Sequence, residues 1–259
     1  MPKRAAECVP IITIDHVYKR YARRESRPSL RHEAATALRR LLNRGGERLE
    51  SHLFWALEDV HFSIQPGECV AIVGRNGSGK TTLLRLIAGI MPPTQGTVSI
   101  RGRFAALLGL GAGFLPDLSG RKNIYLNAAI HGVPPRQTDE IIEAIIEFAE
   151  IRPFIDSPVK HYSSGMIARL GFSVAVHILP DVVLLDEVLA VGDAAFQEKC
   201  LARVAQLKAD GHTILFVSHA AESVRALCER SIWLHEGRIQ HDGATENVLS
   251  AYERALHGG

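Results

Sequence analysis

Eight consecutive residues, Gly74-Arg75-Asn76-Gly77-Ser78-Gly79-Lys80-Thr81, constrain this chain more than any other stretch of it. They fit the phosphate-binding loop pattern G-x-x-x-x-G-K-[ST] at every required position. Gly74, Gly77 and Gly79 let the backbone wrap so that its N–H groups face phosphate oxygens, and Arg75, Asn76 and Ser78 complete the wrap. Lys80 can reach the β- and γ-phosphates as a point charge, and the Thr81 hydroxyl can ligate Mg²⁺. The flanks agree. Cys69–Val73 is a short apolar run that reads as a buried strand. Thr82–Ile87 reads as a helix, whose N-terminal dipole favours the phosphates. A strand, this loop and a helix in that order imply a nucleoside triphosphate as ligand.

The remaining composition sets limits. A chain of 259 residues, 46% hydrophobic and 22% charged, can bury a substantial core as one large domain or a domain with a subdomain. No apolar run is long enough to span a bilayer; the best, Val174–Leu185, is broken by His177, Pro180 and Asp181. Met1-Pro2-Lys3-Arg4 leads into no apolar segment, so no secretory signal is expected. Cys8, Cys69, Cys200 and Cys228 are scattered without C-x-x-C spacing and read as reduced thiols of a cytosolic protein. The net charge of +2 hides an asymmetry. Residues 1–52 carry 12 Lys and Arg against 6 Asp and Glu, and the remainder 18 against 22. That basic excess is either a solvated, partly helical face or the complement of an anionic neighbour: lipid headgroups, a phosphorylated substrate or nucleic acid.

The organisation is that of an α/β chain. Pro10–Ile14 and Val60–Ile64 have strand character. Between them, Ser29–Asn43 has Leu30, Ala34, Ala37, Leu38, Leu41 and Leu42 at near-helical spacing, a basic amphipathic helix within an insert over residues 23–52. Thr97–Ile100 and Phe104–Leu108 read as strands. Asp139–Glu150 is an amphipathic helix with Thr138 available as its cap, and Ser163–Ile178 is a second. Val182–Leu185 and Thr213–Val217 then alternate with helices over Ala194–Ala209 and Glu222–Cys228, and Ile232–His235 reads as an edge strand. Thr245–Leu256 is helix-like. The pattern predicts a buried, mostly parallel core sheet with N-terminal antiparallel strands and a helical block inserted at about residues 115–178.

Two further segments belong with the phosphate loop. Val182–Leu185 ends in Asp186 and Glu187, and the C-terminal end of a strand is where open α/β sheets bind ligands. Asp186 would hold Mg²⁺, and Glu187 would polarise the water that attacks the γ-phosphate. His219, after Phe216-Val217-Ser218, ends another core strand on the same edge, where it can sense or bridge the γ-phosphate.

The order of phosphate loop, Tyr162-Ser163-Ser164-Gly165-Met166, Val182–Glu187 and Ser218-His219 resembles the nucleotide-binding subunit of ATP-binding-cassette (ABC) transporters over essentially the whole chain. The resemblance implies a single ATPase domain over residues 1–259 and a head-to-tail dimer. In it, Ser163 and Gly165, at a helix N-terminus, complete the ATP site of the opposite copy. It also implies an aromatic on the adenine ring, Tyr21 with Tyr18 as the alternative, and a dimer-crossing loop at Asp193. Three of the five signature positions depart from Leu-Ser-Gly-Gly-Gln, at Tyr162, Ser164 and Met166. No glutamine lies between Phe104 and Asp117, so Leu110 or Gly109 occupies the place of the family's glutamine loop.

Together with Leu110–Phe114, Leu118–Ile124 and the early basic insert, these departures resemble the ATPases that export O-antigen, capsule or teichoic acid. That resemblance implies an ATPase at the cytoplasmic face of the membrane, driving a separate permease that moves a lipid-linked polysaccharide. Some members carry a C-terminal carbohydrate-binding domain, which this sequence is expected to lack. No nucleic-acid partner is expected. The rival expectations are an ABC exporter of another substrate, and a soluble ABC ATPase acting on nucleic acid or ribosomes.

Overall fold

The computed structural model describes residues 9–22, 53–107, 111, 113–186, 192–218 and 220–257. Three segments that are apolar at every position, β3 (Cys69–Val73), β6 (Val182–Leu185) and β7 (Thr213–Val217, Thr213 apart), are buried along their whole length. Strands with both faces covered belong in the middle of a parallel sheet. The sheet runs β5 (Phe104–Leu107), β6, β7, β3, β8 (Arg230–His235), β9 (Arg238–Ala244). Its first five strands pair in parallel, and β9 returns antiparallel to β8. A second sheet holds β1 (Ile12–Ala22) between β2 (Leu53–Ile64) and β4 (Gln95–Ile100), all antiparallel.

Strand alternation divides the core in two. Val70, Ile72, Leu184, Leu215 and Val217 point to one side, where they meet Ile12, Ile14, Leu57 and Val60 of the antiparallel sheet and Leu83 and Leu84 of α1 (Lys80–Ile87). Ala71, Val73, Val183, Leu185 and Phe216 point to the other. There they pack with Phe172 and Val176 of α4 (Ser164–His177), Phe196 and Val204 of α5 (Ala194–Ala209), and Val248 and Leu249 of α7 (Thr245–His257). A helical block of α2 (Gly120–Ile130), α3 (Pro135–Ala149) and α4 connects β5 to β6. Helix α6 (Ala221–Leu227) links β7 to β8. This is the expected α/β core with antiparallel N-terminal strands and an inserted helical block.

Several details differ from the sequence reading. Helix α3 starts four residues before Asp139, so Thr138 lies within its first turn and donates its hydroxyl to Pro134 O at 3.2 Å instead of capping. The Pro135 ring, pre-set for helix and lacking an N–H, explains the earlier start. Strand β8 is interior rather than an edge, because β9 covers it through a two-residue turn. Glu236 (φ +45°) and Gly237 (φ +77°) supply the two positive φ values that such a turn needs to follow the strand twist. The scattered thiols of Cys69 and Cys228 meet inside the fold, Sγ to Sγ at 3.0 Å. The basic insert over residues 23–52 lies outside the described residues.

Candidate nucleotide site

The loop after β3 opens at the centre of the parallel sheet. Its neighbour β7, and β6 beyond that, end on the same edge in register, Ile72 opposite Val217 and Leu185 opposite Phe216. Ser218 N donates to Ile72 O at 3.3 Å, which holds the end of β7 against the start of the loop. Asp186 follows β6 on that same edge, as the ligand end of an open α/β sheet requires. Glu187 and His219, the next residues in each case, lie outside the described residues, as do Gly109 and Leu110.

Lys80 is the first residue of α1, yet it is only 6% exposed. Its Nζ donates to Gly74 O at 2.8 Å and Arg75 O at 3.1 Å, so the chain folds the cation back into the loop that precedes it. Carbonyls supply hydrogen-bond acceptors to a buried ammonium. Its charge, the backbone N–H groups and the α1 dipole therefore act on one space. Ser78 Oγ is buried in the loop with no hydrogen-bond partner among the described residues.

Gly79, the residue before α1, has φ +106°, and a Cβ there would stand 2.6 Å from Ala56 O. The antiparallel sheet thus presses on the loop where only glycine fits. Gly79→Ala is expected to lower folding stability by about 1–3 kcal/mol. Urea unfolding would measure that loss, and ATP affinity should fall with it.

Above the loop is a cavity of about 820 Å³, within the range of small-molecule sites. Asn76, Gly77, Gly79, Lys80, Thr81 and Thr82 form its base. Tyr21, Phe54 and Trp55 form an aromatic wall, and the hairpin residues His235–Arg238 with Gln240 close the far side. There Arg238 and Glu58 make an ion pair. Tyr21 and Phe54 are register partners on β1 and β2, with ring centroids 5.8 Å apart. The Tyr21 hydroxyl donates to Met91 Sδ at 3.0 Å, which fixes the ring's far end. Tyr18 is not part of this wall; it packs edge-on against Trp55.

The sequence reading missed Phe54, Trp55 and the hairpin. Leu53-Phe54-Trp55 carries a signal in hindsight, three large apolar residues that remain 38%, 43% and 40% exposed. The Glu236-Gly237 turn was the cue for the hairpin.

Gly74, Arg75 and Ser78 belong to the loop but do not line the cavity, and neither do Asp186, Ser163 or Gly165. Ser163 caps α4, its Oγ accepting from Met166 N at 3.2 Å. The unusual Tyr162 before it is buried, and its hydroxyl donates to Phe154 O at 2.7 Å. From α4, Arg169 reaches Glu150 at 2.7 Å and Asp193 at 2.9 Å, while its guanidinium lies 4.6 Å from the Phe196 ring centre. Asp193 also caps α5 by accepting from Phe196 N at 3.0 Å. Lys199 first, and Arg169 with it, hold the Glu150 carboxyl below its usual range. Arg169 thus ties α4 to Glu150 and to the Asp193 turn.

Comparison with known proteins gives the family and the fold. The sequence model of the ABC transporter family matches residues 57–190. The O-antigen export system ATP-binding protein RfbB of Klebsiella pneumoniae is 44% identical over 250 residues, covering 95% of this chain and 99% of that protein. The teichoic acids export ATP-binding protein TagH of Listeria monocytogenes is 46% identical over 77% of this chain and 59% of its own length. Among solved structures, an ATP-binding subunit of an ABC transporter superposes with a TM-score of 0.72 at 22% identity, covering 94% of this chain and 93% of its own. Phosphate loop, sheet order and family similarity converge: the chain belongs to the ABC transporter family, as one of its ATP-binding subunits.

Proposed function

We propose that this chain is the ATPase of an exporter that moves a lipid-linked polysaccharide through a separate membrane permease. The observation that carries the reading is the similarity to an O-antigen export ATP-binding protein across nearly the full length of both chains. Among the described residues no helix is long and apolar enough to cross a membrane, which fits a path for the substrate supplied by a partner. We place the chain at the cytoplasmic face of that membrane.

The chain works as a head-to-tail pair. Ser163 and Gly165 stand apart from the cavity above Lys80 within one copy, which supports their serving the ATP held by another copy. Thr81 and Asp186 offer the hydroxyl and carboxylate oxygens that Mg²⁺ takes, and the ion would neutralise charge on the β- and γ-phosphates. Gly74–Thr82 holds the phosphates, Glu187 orients and deprotonates the attacking water, and His219 senses the γ-phosphate. ATP favours the closed pair and its loss the open one, and the permease responds to that difference. The basic insert, residues 23–52, with Arg39 and Arg40, meets lipid headgroups or the pyrophosphate of the carrier.

Tyr21 stacks on the adenine, with Phe54 behind it. Base–aromatic stacking is worth roughly 1–3 kcal/mol, so Tyr21→Ala should weaken ATP binding by about 5- to 150-fold while Tyr21→Trp retains it. A fluorescent-nucleotide titration reads this directly.

The export reading is tested by deleting the gene in its host. Surface polysaccharide should fall and its lipid-linked precursor accumulate inside. The wild-type gene should reverse both, and the protein should co-purify with a multi-spanning membrane protein. Unchanged surface polysaccharide after deletion would overturn the reading.

A further inference from the structure

Away from the nucleotide cavity, β1 and β2 carry three successive register shifts, of which the first two are bulges at His16 and Asp59. Ile14 pairs with Phe62 and Val17 with Val60, so Asp15 and His16 together face His61. Val17 pairs with Val60 and Lys19 with Leu57, so Tyr18 alone faces Glu58 and Asp59. Each bulge carries a residue in the left-handed region, His16 at φ +45° and Asp59 at φ +52°. Non-glycine residues are uncommon there, although Asp and His enter it more readily than most. Bulges re-aim side chains, and these two turn three potential ligands toward one another across the strands.

His16 Nδ1 lies 2.6 Å from Asp59 Oδ1, and the His16 and His61 ring centres are 5.1 Å apart. One ligand atom from each of His16, Asp59 and His61 falls within a 4.8 Å group. The backbone beneath is locked. On β4, Gly96 closes against the bulge so tightly that a Cβ there would stand 2.2 Å from His16 O. The uncommon conformation is thus imposed by the sheet, while the side chains of His16 and Asp59 stay 64% and 44% exposed and open to solution.

We propose that His16, Asp59 and His61 form a binding site for a divalent transition-metal ion, Zn²⁺ by the chemistry of the set. Two imidazoles and one carboxylate suit Zn²⁺ and its neighbours in the first transition row; Mg²⁺ and Ca²⁺ take all-oxygen sets. Ligands on one tetrahedral ion at about 2.1 Å stand about 3.4 Å apart, so atoms now within 4.8 Å need to close by about 1.4 Å at most, while His16 and Asp59, now 2.6 Å apart, open by under about an ångström and exchange their hydrogen bond for the ion. With three protein ligands, the outward position is left to water or to a group from another molecule. The bound ion would pin β1 to β2 five residues from Tyr21, on the strands that carry the aromatic wall.

The test uses the full-length protein with no affinity tag, stripped of metal and titrated with Zn²⁺ by calorimetry, and with Co²⁺ as a spectroscopic probe. One equivalent of Zn²⁺ should bind, and Co²⁺ should give the visible absorption of a nitrogen- and oxygen-ligated ion. The double variant His16→Asn/His61→Gln should lose this equivalent, with affinity falling at least tenfold, since even outer partners of metal ligands are worth about 10–100-fold. Asn tolerates positive φ, so the bulge survives the change. Unaltered ATP binding and melting in metal-free buffer would show that the variant is folded. Absence of a Zn²⁺ equivalent in the parent, or one that persists in the double variant, overturns the proposal.

Discussion

Lys80→Ala is expected to reduce ATP hydrolysis by at least about 10²–10³-fold, the scale on which one preorganised transition-state donor acts. The side chain is buried and sits on the carbonyls of Gly74 and Arg75. Its charge is therefore held within the loop that precedes it, against two of that loop's own carbonyls. Removing it leaves those two carbonyls without their donor and strips the site of its fixed cation. Loop geometry and phosphate affinity should fail together, and ATP binding should weaken as well as turnover. Lys80→Arg should not rescue it, because a planar fork does not fit where a compact ammonium is folded under its own backbone. Steady-state ATPase measurements with a nucleotide-binding titration separate the two losses. Near-wild-type turnover in Lys80→Ala would remove the loop from the chemistry.

Glu187→Gln is expected to behave differently, with ATP affinity kept and turnover lowered by about 10²–10⁴-fold, the usual contribution of a positioned general base. The amide keeps the shape of the carboxyl but cannot take a proton. ATP should then trap the closed pair, so a shift from monomer to dimer on adding ATP to this variant is the accompanying expectation. Sedimentation or light scattering with and without ATP checks it, and wild-type turnover would end the assignment. Restoring export in the deletion strain with this variant should also fail. Phosphoryl transfer relies on positioning and electrostatics, so losing one oriented group has this large effect without disturbing the fold.

Much of the core was legible because strands buried on both faces write themselves as unbroken apolar runs. Cys69–Val73, Val182–Leu185 and Thr213–Val217 needed no other cue. Helix α3 was legible through the one-sided spacing of Ile142, Ile145, Ile146 and Ala149, all of them buried. Its start was misplaced because Thr138, a residue type that caps helices, precedes Asp139, whereas Pro135 at the first helical position sets the true start. Strand β9, with the burial pattern of a largely exposed strand and polar Gln240, His241 and Asp242, carries no such run. Its existence follows from pairing with β8, and without it β8 was read as an edge.

By itself the sequence determined the phosphate loop, the buried strands on either side of it, and which strand ends would carry Asp186 and Ser218. Each rests on a local rule: a glycine pattern, an unbroken apolar run, or a residue directly following a strand. Only the tertiary structure decided what those elements meet. Register between β1 and β2 brought Tyr21 to Phe54 and His16 to Asp59, pairs separated in the chain by the whole basic insert. Packing tied Arg169 to Glu150 and Asp193, and the β8–β9 hairpin closed the cavity that the loop opens. The physical reason is one of range. Backbone conformation is set by neighbours a few residues away, whereas a ligand site is set by which strands lie side by side, and by their register to a single residue.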